Sequence, residues 1–131
     1  MRDELVATID GAWIADHAER LVRVPSVTLQ EEEVCRLYHE QLQDLGLEVD
    51  VREVTPGRDN LYARIRGVGG GPTLMLNGHL DTIPNPNGQP CYRDGDRLYG
   101  RGTTDMKGAV AAVIAEPVMG VGGVIVPPDE Y

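Results

Sequence analysis

The chain has no phenylalanine, a single tryptophan (Trp13) and only two cysteines, and its 12 lysines and arginines are outnumbered by 21 aspartates and glutamates. Each shortage excludes something. Without phenylalanine, a core has to be built from Val, Leu, Ile and Tyr. The formal net charge of -9 argues against nucleic acid and anionic membrane as partners, because both are held by basic surfaces. No apolar run is long enough to span a membrane. The charged start Met1-Arg2-Asp3-Glu4 has no apolar stretch behind it, so no signal peptide is expected. Cys35 and Cys91 lack the close spacing of a metal-binding pair, and a reduced, cytoplasmic setting is the expectation. What remains is a globular composition, 41% hydrophobic and 25% charged over 131 residues. Residues 1–131 are therefore expected to form a single domain, able to bury about two-thirds of the unfolded chain's surface.

Ile14, Ala18, Leu21 and Val22 recur at helical spacing, which predicts an amphipathic helix from about Asp10 to Arg23, stopped by Pro25. Thr28 with Glu31 reads as a capping box. Val34, Leu37, Tyr38, Leu42 and Leu45 then keep one face apolar up to Gly46, a natural residue just past a helix end. Leu47, Val49 and Val51 alternate with charged residues, as do Leu61, Ala63 and Ile65 with their neighbours, and both stretches predict half-buried strands. Gly67–Pro72 is a turn-rich connector. Thr73-Leu74-Met75-Leu76 is continuously apolar, the pattern of a central strand covered on both faces. Ile83–Pro90 is loop, and Tyr92–Tyr99, with Asp94-Gly95 inside, is a tight hairpin. Met106–Ala115 reads as a helix ended by Pro117, and Gly122–Val126 as a last strand. The order predicts an α/β fold, a mixed β-sheet flanked by helices.

Two stretches carry chemistry: Asn77-Gly78-His79-Leu80-Asp81-Thr82 and Gly100-Arg101-Gly102-Thr103-Thr104-Asp105-Met106-Lys107-Gly108. His79 follows an apolar strand, where α/β proteins tend to place ligand-binding groups. Asp81, two residues on, points the same way in an extended segment. It could take the imidazole's second N–H and fix the tautomer of a metal-bound histidine. Equally, His79 could only bond a loop while Asp81 caps a turn. Asp105 stands after a glycine-rich turn at the mouth of a helix, where it is either a ligand or an N-cap. The glycine-rich turn is not a phosphate loop, since Lys107 is followed by Gly108, and Asp105 occupies the third glycine position of a dinucleotide fingerprint. His17 and His39 lie on helices, His17 near the apolar face. Glu31-Glu32-Glu33 favours a helix dipole.

Taken together, the two stretches resemble the M20 family of zinc-dependent peptidases and deacylases. That family includes acetylornithine deacetylase, succinyl-diaminopimelate desuccinylase, carboxypeptidase G2 and aminoacylase. The resemblance rests on Leu74–Thr82, on Asp96–Gly108 and on the opening Leu21-Val22-Arg23-Val24-Pro25-Ser26-Val27. It implies a shortened zinc-exopeptidase-like catalytic domain without the family's dimerisation domain. It implies that His79 ligates one zinc, that Asp81 orients it, and that Asp105 bridges two zincs about 3.5–4 Å apart. Cobalt or manganese would satisfy the same donors. Glu130 corresponds to the family's general base, and Tyr131 stands where a second glutamate is expected. The implied function is metal-dependent hydrolysis of an amide bond in a small peptide or N-acyl amino acid. A homo-oligomer would bring two ligand sets together, with His17 or His39 as spare donors. The alternative is a truncated, inactive M20-derived fragment that serves as a structural or weakly metal-binding module.

Overall fold

The computed structural model describes residues 9–66 and 70–118. The part of the connector at 67–69, the strand expected at Gly122–Val126 and the Glu130 carboxylate lie outside the described residues. Helix α1 spans Gly11–Arg23. Asp10 caps it, with one carboxylate oxygen accepting from the amides of Ala12 and Trp13 at 2.9 and 3.0 Å. Val24 is already extended, as the residue before a proline must be. Helix α2 spans Glu32–Asp44 and closes on Leu45. Gly46 donates to the Gln43 carbonyl and Leu47 to that of Leu42, the paired bonds of a Schellman motif.

The start of α2 departs from expectation. No side chain caps it. The Thr28 hydroxyl instead donates to the Asp81 carboxylate at 2.6 Å. Buried Glu31 takes both Arg58 guanidinium donors, at 2.8 and 3.1 Å, and the Leu29 amide. A long-range partner has taken the Thr28 hydroxyl, and Glu31 divides its carboxylate between distant Arg58 and the local Leu29 amide.

Strands β1 (Glu48–Thr55) and β2 (Arg58–Arg64) form an antiparallel pair in which Val49 faces Ala63 and Val51 faces Leu61. Among the described residues the apolar run at 73–76 is not assigned as a strand. Among the described residues the strands form two separate two-stranded sheets, and none pairs with this run. Leu74 is 52% and Met75 56% exposed. Strands β3 (Tyr92–Asp94) and β4 (Arg97–Tyr99) make the expected hairpin, with the Tyr92 and Tyr99 rings stacked at 4.8 Å.

Thr103–Lys107 is an irregular turn with a cis Asp105–Met106 peptide, and helix α3 follows at Gly108–Val118. Helix α3 runs through Pro117 rather than stopping before it. A proline in the last turn removes one backbone donor, and little helix remains beyond it to disrupt. Helix α3 is the centre of the core. Val110 and Ala111 pack with Ala18 and Leu21 of α1 and Val34 of α2, while Ile114 packs with Leu42 and Ala63. The expected α/β class therefore holds, with helices packed on small sheets. No helix among the described residues is long and apolar enough to cross a membrane.

Candidate metal centre

His79 sits between two carboxylates. Its Nδ1 lies 3.0 Å from the Asp81 carbonyl and 3.1 Å from the Asp81 carboxylate, and its Nε2 lies 3.0 Å from Asp105 Oδ1. The two stretches singled out in the sequence thus meet, although 26 residues separate the histidine from Asp105. Asp105 does not cap α3, which starts at Gly108, and its own backbone is extended. Burial acts to lower the His79 pKa. The Asp81 carbonyl and the Asp105 and Asp81 carboxylates outweigh it, so the imidazole holds its proton above the usual histidine value.

Imidazole nitrogen and carboxylate oxygen are donors that zinc accepts, and bond lengths near 2.1 Å put neighbouring tetrahedral donors about 3.4 Å apart. The His79–Asp105 pair at 3.0 Å meets that with a movement of a few tenths of an ångström. The donor chemistry fits zinc, cobalt or manganese, but as two ligands of a site. Among the described residues no group of three or more His, Cys, Asp or Glu side chains converges to hold a metal. His17 is engaged within α1, stacked on Trp13 at 3.6 Å with its Nδ1 2.9 Å from the Trp13 carbonyl. A cavity of 450 Å³ is lined by His79, Asp81, Arg58 and Glu31, with Tyr38 and Met75 among its apolar lining.

The structure adds Lys107, Ser26 and Thr28 to the surroundings of this pair. Lys107 is only 1% exposed, and its ammonium donates to the carbonyls of Leu21 and Val24 at 2.9 and 2.8 Å. Burial pushes its pKa down to about 8. The signal was present in the sequence: one cation inside the otherwise apolar stretch from Met106 to Ala115. The turn that carries Asp105 also needs glycine. Gly102 has φ 89, and a Cβ there would lie 2.8 Å from Thr82 Cγ2 and 3.2 Å from Lys107 Cδ.

Residues 75–116 match the model of Peptidase family M20/M25/M40. Over that stretch the chain matches the M20 family. It is similar to the acetylornithine deacetylase of Aliivibrio fischeri (strain MJ11), 33% identical over 112 residues that make up 76% of this chain and 29% of that protein. It is also similar to the succinyl-diaminopimelate desuccinylase of Paracidovorax citrulli (strain AAC00-1), 37% identical over 111 residues, 74% of this chain and 28% of that protein. The chain therefore spans under a third of the length of these curated relatives. Its fold resembles that of a tripeptidase from Staphylococcus aureus subsp. aureus mu50, with a TM-score of 0.73 at 24% identity, covering 86% of this chain and 33% of that one.

Proposed function

We propose that this M20 chain carries one half of the catalytic site of a metal-dependent amide hydrolase, acting on a small peptide or an N-acyl amino acid. The observation that carries the reading is the His79 imidazole held 3.0 Å from Asp105 Oδ1, with Asp81 at its other nitrogen. In this reading His79 and Asp105 hold the metal. Asp81 keeps the imidazole in the tautomer that presents Nε2. A bound zinc would supply an acidified water and polarisation of the scissile carbonyl. Glu130, by its place in the family's pattern, would move the proton. The remaining ligands come from outside the described residues or from a second copy of the chain. The names of the relatives, a deacetylase, a desuccinylase and a tripeptidase, support the substrate class. The two unpaired cysteines fit a reducing compartment such as the cytoplasm.

Titration of the metal-free 131-residue chain with zinc, followed by an assay on N-acetyl amino acids and tripeptides, tests this. Zinc-dependent turnover that His79→Ala abolishes is expected. Metal binding without turnover would leave the inactive, weakly metal-binding module as the better description.

A further inference from the structure

The two metal-motif stretches are far apart in sequence, yet both hang from one short segment, residues 21–28. Helix α1 ends there because Pro25 has no N–H and forces Val24 into extended backbone. The carbonyls at a helix end need donors from elsewhere. The Leu21 and Val24 carbonyls both take the Lys107 ammonium, and a cation is well placed at the negative end of a helix. Immediately beyond, Ser26 and Thr28 hold the other stretch. The Thr82 amide donates to the Ser26 carbonyl at 2.8 Å and the Thr28 amide to the Thr82 carbonyl at 3.2 Å. The Ser26 hydroxyl donates to the Leu80 carbonyl at 2.7 Å, and the Thr28 hydroxyl to Asp81 Oδ2 at 2.6 Å.

From these bonds we infer that residues 21–28 form a bracket that sets the spacing between His79 and Asp105, with Lys107, Ser26 and Thr28 as its positioning residues. The inference rests on the reading of His79 and Asp105 as metal ligands. Asp105 is 84% exposed, so packing around its side chain does little to hold it. Its place is fixed through the backbone of 103–107. That backbone is pinned by the Lys107 amide on the Gly102 carbonyl and by the Lys107 side chain running back to α1. Asp81 is fixed differently. One carboxylate oxygen faces His79 and the other accepts from Thr28, so the hydroxyl sets the plane in which Asp81 meets the imidazole. Ligand pairs need placement to within about 0.5 Å, and partners of this kind change metal affinity when removed.

The test uses the full 131-residue chain with cobalt(II) chloride as the probe, read by visible absorption. Lys107→Met removes the ammonium at similar length. Thr28→Val removes the hydroxyl at similar volume, and Thr28→Ser restores it. Ile114→Val, buried in the core away from the site, controls for stability. Lys107→Met and Thr28→Val are expected to weaken cobalt binding by about 10–100-fold, with Thr28→Ser close to wild type and Ile114→Val unchanged. Affinity unchanged in both variants, or lost to the same degree in Ile114→Val, would overturn the bracket. Should Lys107→Met not fold, the Thr28→Val and Thr28→Ser pair decides. A second readout needs no metal. Amide exchange at Thr82 and Lys107 should quicken at least about tenfold in Thr28→Val and Lys107→Met respectively, relative to α2 amides. Exchange that rises evenly through the fold counts against the bracket. Failure of the wild type to bind cobalt sinks the metal reading, and the exchange result then decides the bracket by itself.

Discussion

Replacing Gly102 with alanine separates backbone strain from packing in the turn that carries Asp105. Two effects add there. With φ at 89 an alanine sits in left-handed backbone, which costs about 1–2 kcal/mol. The new methyl also meets Thr82 Cγ2 at 2.8 Å. Thr82 cannot swing away easily, because it is buried and its amide and carbonyl are both bonded to the Ser26–Thr28 segment. Forcing a methyl into such a contact costs a further ~1–3 kcal/mol. The sum is about 2–5 kcal/mol, a large share of the stability of a domain this size. Gly46 is the internal reference. Its φ is 75, and a Cβ there would meet nothing within 4 Å, so Gly46→Ala should show the backbone effect alone, about 1–2 kcal/mol. Urea unfolding followed by circular dichroism measures both. Thermal melts should agree at roughly 3–6 °C per kcal/mol. If Gly102→Ala costs no more than Gly46→Ala, the close approach of the turn to Thr82 plays no part and the packing argument is wrong.

Ile114→Ala should lose about 2–5 kcal/mol in the same urea experiment, because Ile114 is fully buried between Leu42 and Ala63. Cobalt affinity should fall as pH drops from 8 to 6, since a proton on His79 competes with the metal and its pKa is raised above 6.5. In the metal-free protein the sign for stability is the reverse: the contribution from His79 is present below pH 6.5 and fades as pH rises through the higher folded value. A His79→Ala variant should remove both pH dependences. Burial pushes the Cys35 thiol up from 9.0 to about 11, so iodoacetamide at pH 8 should alkylate it about 100-fold more slowly than an unperturbed thiol of pKa 9.0, as mass spectrometry of the tryptic peptide will show.

Local signals were legible where the partner is local. Asp10 before a helical pattern, Pro25 after it, and Gly46 after the next all act within a few residues, and the helix ends fall there. The Thr28–Glu31 signature misled because both side chains have distant partners, Asp81 and Arg58, and nothing in a four-residue window reveals them. The run at 73–76 is apolar, but which strand would lie beside it is not written in those four residues. For the site, chemistry type and family pattern singled out His79, Asp81 and Asp105, and the structure brings them together. The role of Lys107 is not legible because it depends on where α1 ends in space. Its one sequence mark is a lone charge in an apolar stretch.

The apolar run at 73–76 also bears on how the chain behaves in solution. It carries exposed Leu74 and Met75 and has no partner strand among the described residues. Exposed apolar stretches of this kind promote association between copies. The isolated chain should therefore self-associate as its concentration rises, and a charged substitution at Met75 should keep it dispersed without touching His79 or Asp105. Light scattering across a dilution series would register the difference.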